Sequence, residues 1–448
     1  MMQNELIRDA RMSDWLDAAE GDASLDAWQR ANVKEMRRKW QHEMAVGPEL
    51  VRKLAVAGTR CYQHWTKARP DNDWASLLPL FTEVLELTRE VAVARGELLG
   101  LSPYDALVDA YTPGMTASAI EEVFSPLRAA LPSLLGEVLE AQAARPAALP
   151  LEGPFSPDAQ AELARALMTA IGFDFEHGRL DVSAHPFCGG IPSDVRITTR
   201  YRTEEFLSGL MGVLHETGHA MYERQLPDAW AGQPVGGARG MGLHESQSLL
   251  VEMQVCTSHA FLSYAVPHMK RVFGKDGPAW TVENVLRHCT HVERGLIRVD
   301  ADEVSYPLHV ILRFDIERAL IDGSLAPADL PGAWRDAMQR LLGVTPPDDR
   351  DGCMQDIHWM DGAYGYFPAY SLGAIAANQL YAAAREANTG IEGQVAQGDF
   401  STLMAWLRTH VHGVASSTSG HAILEQATGR TYDANAYLSH LRTRYLGS

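Results

Sequence analysis

Apolar residues recur at three- and four-residue spacing along most of this chain. The pattern predicts helices over Ala27–His42, Pro48–Trp65, Trp74–Leu98, Ala117–Ala143 and Pro157–Ile171. Polar starts mark several of them: Asp71-Asn-Asp, Thr116-Ala-Ser, and Ser156-Pro157 with proline in a first turn. The proline-rich stretch from Arg145 to Pro157 reads as a loop between helices. These early helices carry no chemical motif and read as scaffold. The texture changes after Leu180. Val195, Ile197, Thr199 and Tyr201 alternate with Asp194, Arg196, Thr198 and Arg200, a period of two that predicts a strand in a small sheet. Its polar face makes it a candidate cleft wall, or an edge that pairs with an extended peptide. An ordinary solvated strand is the plain alternative. Further on, Arg298, Asp302, Tyr306, His309, Arg313 and Glu317 fall at helical spacing opposite Ile297, Ala301, Val304, Leu308, Ile311 and Leu312, with Pro307 as a kink or a break. A Gly- and Tyr-rich loop from Gly352 to Gly373 has poor core character. Its tyrosines are candidate donors to an oxyanion.

Composition sets bounds on this picture. The 448 residues are 46% hydrophobic and 21% charged, ordinary for a water-soluble globular chain. No linker, low-complexity tract or fixed-period repeat divides them. The reading is one domain over 1–448, with a helical scaffold part (1–175) and a motif-bearing catalytic part (176–448). A net charge of −18 without a basic stripe argues against nucleic acid as a partner. Five scattered cysteines with no Cys-x-x-Cys pair point to neither a disulfide framework nor a thiolate metal site, and to a reducing cytoplasm. The N-terminal residues hold no apolar signal core, and no run reaches the ~18 apolar residues of a membrane span.

The candidate chemistry lies in His215-Glu216-Thr217-Gly218-His219, within a helical run from Phe206 to Tyr222. Two histidines four apart share a helix face and can reach one metal ion. Glu216 points about 100° round the helix from His215, beside such an ion rather than on it. That suits a general base acting on water at the metal. A third ligand is needed. Glu245 begins a helical phrase 26 residues past His219, after a Gly-rich loop, and Glu252 lies two turns further along the same face, where it could support a ligand. A chance pair of surface histidines and a dipole-favoured acid are the plain alternatives.

Six ordered motifs decide between them: His185-Pro-Phe187, Asp194-x-Arg196-x-Thr198, His215-Glu-x-x-His219, His244-Glu-Ser-Gln247, Ile297-Arg-x-x-Ala-Asp302 and Gly352-x-x-Gln-Asp-x-His-Trp359. This series resembles the carboxypeptidase Taq family of zinc metallocarboxypeptidases, from about Asp17 to the C-terminus. Scaffold phrases such as Tyr104-Asp-Ala-Leu and Tyr111-Thr-Pro-Gly-Met115 fit as well. The resemblance implies a mainly α, saddle-like single domain with a deep groove and a small β-sheet next to the metal helix, and a homodimer. It implies release of single amino acids from the C-terminus of peptides, with broad side-chain tolerance and proline disfavoured. Carried over by residue, His215, His219 and Glu245 hold zinc (cobalt is possible), and Glu216 is the base and proton shuttle. Arg298 and Tyr370 hold the terminal carboxylate or the oxyanion. Asp194, Arg196, His244, Gln355 and His358 belong to the groove or support the ligands. The family's N-terminal Ser-Trp-Asp-x-x-Thr-x-Met-Pro stretch has no counterpart here, which implies a more open groove or a start further upstream. A helical oligoendopeptidase, a dipeptidyl carboxypeptidase and a non-catalytic zinc or peptide binder are the rival readings.

Overall fold

The computed structural model describes residues 7–9, 11–183 and 187–447. The motif residues His185 and Pro186 lie outside the described residues. Helices dominate. Those expected from apolar spacing form at Ala27–Met44, Pro48–Ala68, Trp74–Leu99, Ala117–Ala143 and Pro157–Ile171. Their ends follow from local chemistry. Ser156 accepts a hydrogen bond from the Ala159 N–H, Pro157 occupies the first turn, and Gly172 closes the helix at φ +114°, a left-handed angle that suits glycine. Asp26 and Gln29 close a capping box at the start of Ala27–Met44.

The chain folds into two compact units, each built from two stretches of sequence: Met1–Gly136 with Glu293–Ser371, and Glu137–Val292 with Leu372–Ser448. In the first unit Phe81, Val84, Leu127, Phe314 and Leu320 are fully buried. The expected stripe of Arg298 to Glu317 needs correction. Arg298–Asp300 is a separate 3₁₀ turn, and the α-helix runs from Tyr306 to Asp322 with Pro307 in its first turn. Proline lacks the N–H that a continuous helix would need there, so it starts the helix instead of kinking it. Within this unit the buried carboxylate of Glu317 accepts hydrogen bonds from Trp359 Nε1, Tyr104 Oη and the Gly365 N–H. It ties the Gly-rich loop and the helix Pro103–Tyr111 to the helix Tyr306–Asp322.

The second unit holds the sheet and the His-Glu-x-x-His helix. Strands β1 (Gly178–Val182), β2 (Phe187–Ile191) and β3 (Asp194–Thr199) pair in the order β1-β3-β2, β1 parallel and β2 antiparallel to β3. The alternation predicted for β3 is present: Val195, Ile197 and Thr199 are buried, whereas Arg196 is exposed. Its expected role as an edge is not, because β3 is the central strand and both its neighbours are paired. β3 packs against the helix Leu207–Arg224. Phe206, immediately before that helix, lies in an aromatic cluster with Phe155, Phe273 and Trp280, with ring centroids 4.7 to 5.9 Å from its own. Each such pair contributes on the order of 0.5–1.5 kcal/mol beyond area burial. The cluster fixes where the helix begins, and so where His215 stands two turns later. No helix among the described residues is long and apolar enough to cross a membrane.

Candidate metal centre

Two crossing helical segments build the site. Leu207–Arg224 presents His215, Glu216 and His219. Gly240–Leu249 presents His244 and Glu245, and continues as a π-helical stretch, Leu250–Cys256, that carries Glu252. The segments approach closely because of Gly218. A Cβ on this residue would stand 2.6 Å from Ser248 Cα, nearer than real atoms come. Gly373 does the same behind the third acid: a Cβ there would stand 2.8 Å from Glu245 Cβ.

His215, His219 and Glu245 offer one donor atom each, all within 4.8 Å of one another. His219 Nε2 is 3.5 Å from Glu245 Oε2, and His215 Nε2 is 3.9 Å from Glu245 Oε1. Two donors sharing one tetrahedral ion at ~2.1 Å stand about 3.4 Å apart, so the spacing fits a zinc-sized ion. The other ring nitrogens are occupied. His215 Nδ1 bonds Glu252 Oε2 at 2.8 Å. His219 Nδ1 lies 3.1 Å from the His244 carbonyl oxygen and 2.7 Å from His244 Nδ1. His244 Nε2 in turn meets Glu223 Oε1 at 2.8 Å. A consistent assignment puts a proton on Nδ1 of both His215 and His219 and leaves both Nε2 lone pairs facing Glu245.

The electrostatics also call for a cation. Burial alone would lower His215, but its hydrogen bond to Glu252 and the charges of Glu245 and Glu252 outweigh it and push the ring up to about 10, so without an ion the ring holds a second proton on Nε2, which a bound ion would displace. Burial raises Glu245, but the neighbouring His219 and His215 hold it below its usual value. Glu216 is buried and loss of water pushes it up to about 6, with His215 opposing and Glu245 and Glu252 adding. Three carboxylates and two imidazoles so close together, most of them buried, favour positive charge, which a divalent ion would supply.

His412 braces the segments. Its Nδ1 meets Gln225 Oε1 and its Nε2 meets Gln247 Oε1, both at 2.8 Å. Burial pushes this ring down to about 3, so it is neutral. A neutral ring donates only once, so one glutamine presents its amide N–H instead.

The other expected residues fall elsewhere. Asp194 and Arg196 pair with each other on the solvent side of β3, 2.7 Å apart, and have no hydrogen bond to the metal-centre residues. Arg298, Gln355, His358 and Tyr370 gather in the first unit. Arg298 donates through Nη2 to Asp356 Oδ1 at 2.8 Å, through Nη1 to the Tyr306 hydroxyl, and through its backbone N–H to Gln355 Oε1. Its guanidinium lies 4.9 Å from the Tyr370 ring, whose hydroxyl is 3.5 Å from His358 Nε2. Arg313 completes the cluster on Asp356 and Gln355. Burial raises Asp356, but Arg313 and Arg298 hold it far below the carboxylate range.

Sequence reasoning missed Glu223, Gly218, His412 and the pairing of Arg298 with Asp356. Glu223 was within reach of the helical period, four residues past His219 on the same face. The partners of Arg298 and His412 are distant in sequence, and no local pattern marks them.

Comparison with known proteins places this site in context. The family model for the carboxypeptidase Taq (M32) metallopeptidase matches residues 1–445. Thermostable carboxypeptidase 1 of Thermus thermophilus is 38% identical over 99% of this chain and 88% of its own length. Carboxypeptidase 1 of Bacillus subtilis is 30% identical over 92% of this chain and 82% of its own. Among solved structures, Trypanosoma cruzi metallocarboxypeptidase 1 superposes with a TM-score of 0.96 at 42% identity, covering 99% of this chain and 90% of that one. The M32 carboxypeptidase from Deinococcus radiodurans gives 0.93 at 36%, covering 99% and 89%.

Proposed function

The chain belongs to the carboxypeptidase Taq (M32) metallopeptidase family and is a metallocarboxypeptidase, a hydrolase of peptide bonds, and from that premise we propose a zinc-dependent enzyme that releases single amino acids from peptide C-termini. His215, His219 and Glu245 hold the metal. The observation that carries this is the convergence of their three donor atoms, with Glu216 on the same helix but outside the set. Cobalt would suit the same donors. The bound ion supplies Lewis acidity towards the scissile carbonyl and makes water a better acid.

The residues of the chain do the rest. Glu216 takes the proton of the attacking water and passes it to the leaving amine. Burial raises its pKa, which strengthens it as a base towards that water, and the protonated carboxyl then gives its proton to the leaving amine. Glu252 and His244 hold the ligand rings in one tautomer. Arg298 and Tyr370 take the substrate's terminal carboxylate or the developing oxyanion. Three of the five N–H bonds of Arg298 go to Asp356 and Tyr306, which leaves one on each terminal nitrogen for a carboxylate. Gln355 fixes the backbone at Arg298. His358 positions the Tyr370 hydroxyl, and Asp194 and Arg196 serve the substrate as a paired surface. Broad side-chain tolerance, poor cleavage beside proline, a homodimer and a cytoplasmic location complete the reading on the family pattern.

The test is a time course on an unblocked decapeptide with the metal quantified. Single amino acids released in order from the C-terminus support the proposal. Dipeptides or internal fragments would replace it with the dipeptidyl carboxypeptidase or oligoendopeptidase reading.

A further inference from the structure

Four arginines, Arg145, Arg287, Arg385 and Arg444, line one cavity of about 570 Å³ in the second unit. The chain as a whole carries a net charge of −18, so this convergence runs against its average. Two acids also line the cavity: Glu392 pairs with Arg385, and the exposed Glu283 lies 3.7 Å from His259, so the four arginines still leave a positive excess. Arg145 donates to the Tyr445 carbonyl, a neutral partner. Arg287 is exposed and has no ion pair among the described residues. Arg444 donates to the Met253 carbonyl and to the Thr257 hydroxyl, which anchors it at the cavity wall.

Tyr381 also lines this cavity. It is 4% exposed, lies 4.8 Å beneath the Arg385 guanidinium, and its buried hydroxyl lacks a hydrogen-bond partner among the described residues. Buried hydroxyls nearly always find an acceptor. A second cavity, of about 670 Å³, shares Arg145, Arg287 and Thr290 with the first and adds His288 and His291. The basic lining is therefore continuous across both.

We propose that this cavity binds a phosphate-bearing anion. Planar guanidinium forks recognise phosphate oxygens two at a time, and several together outweigh the cost of dehydrating them. The volume is that of small-molecule sites, enough for a mononucleotide. None of its lining residues belongs to the metal centre, yet the two are joined along the chain. Gln254 and Thr257 of the cavity wall follow Glu252, which holds His215.

The experiment is calorimetric titration of the full-length, metal-loaded protein with orthophosphate, adenosine 5′-monophosphate and adenosine. These phosphates chelate metal weakly. We expect saturable binding of both phosphates, none of adenosine, and at least ~tenfold weaker binding in Arg287→Ala and Arg145→Ala. Both side chains are exposed, and circular dichroism and unchanged peptide hydrolysis verify the fold. Equal affinity of the two phosphates identifies the phosphate group itself as the ligand. Tighter binding of the nucleotide identifies a phosphorylated metabolite. Repeating the titration after metal removal separates this site from the metal centre, and unchanged affinity is expected. Absence of binding, equal binding by native and both variants, adenosine binding as well as the nucleotide, or binding lost with the metal would each overturn the proposal, whatever the protein does to peptides.

Discussion

His215 Nδ1 lies 2.8 Å from Glu252 Oε2, and this contact decides which nitrogen of the ring is left to hold a metal. A carboxylate can only accept, so His215 must carry its proton on Nδ1 and present a bare Nε2 towards Glu245. The same bond stops the ring from rotating. Glu252→Ala should therefore weaken metal binding by ~10–100-fold while the helices stay folded. Competition with a chelator of known affinity measures it. An unchanged metal affinity would show that His215 is oriented by something else.

Glu216 and Glu245 should behave differently when changed. Glu216 lies outside the donor triad, whereas Glu245 faces both histidines. Glu216→Gln should lose at least ~10²–10⁴ in turnover with metal still bound at one per chain. Glu245→Ala should lose metal and activity together. Elemental analysis beside a peptide assay separates the two. If Glu216→Gln empties the site, or Glu245→Ala keeps its metal, the roles proposed here are reversed.

Gly218 tests the packing beneath the site. Alanine there would press on Ser248 Cα and the backbone of Gln247, and rigid backbone cannot swing aside as a side chain can. The segment carrying Glu245 should be pushed away from the histidines. Overpacking of this kind costs about 1–3 kcal/mol. Gly218→Ala is expected to lower Tm and to weaken metal binding, whereas Gly212→Ala, on the same helix with open space around its Cβ, should do neither. Equal behaviour of the two variants would remove the close approach from the account.

These residues also show what the sequence reveals and what it hides. The helices Ala117–Ala143 and Pro157–Ile171 are legible to the residue, because their ends are written in local chemistry such as the Ser156 cap and Gly172. The pair His215 and His219 is legible because both sit on one regular helix. The period of β3 gives its two faces but not its neighbours, and so its central place was not readable. Arg298 fell at helical spacing with Tyr306 by coincidence, across a break that Pro307 creates. Its counter-ion Asp356 is 58 residues away, a pairing that only the folded chain makes.

The pH dependence of stability should carry the mark of Glu317. Burial pushes this carboxyl up to about 7, even though Trp359, Tyr104 and Gly365 all donate to it. A carboxyl whose folded pKa is raised binds more protons folded than unfolded between about 4.5 and 7. Its contribution therefore weakens the fold as pH rises through that window, and below it the cost is absent. The full effect is on the order of 3 kcal/mol at most. Glu317→Gln removes the titration. The stability of the variant relative to the native protein should climb from pH 4.5 to 7, as read from urea unfolding at each pH. A flat difference would mean that Glu317 stays ionised in the fold.

The last prediction concerns Arg298 and the difference between an exopeptidase and an endopeptidase. Its guanidinium is buried, shares Asp356 with Arg313, and lies against Tyr306, Phe367 and Tyr370. If its two remaining N–H bonds hold the substrate carboxylate, peptides amidated at the C-terminus should be cleaved far more slowly than free acids. Truncating one partner of such a pair costs ~2–5 kcal/mol. Arg298→Ala should weaken the discrimination and slow cleavage of free acids. It should also lower Tm, because Asp356 loses one of its two counter-charges. Arg298→Lys keeps the charge but not the fork, so it should recover stability better than it recovers discrimination. Rates on both substrate forms, with Tm for all three proteins, give the answer. If the native enzyme cleaves amides as fast as acids, the endopeptidase reading takes over. If it discriminates and both variants discriminate as well, another cation holds the carboxylate, and Arg196, exposed and paired with Asp194, is the next to change.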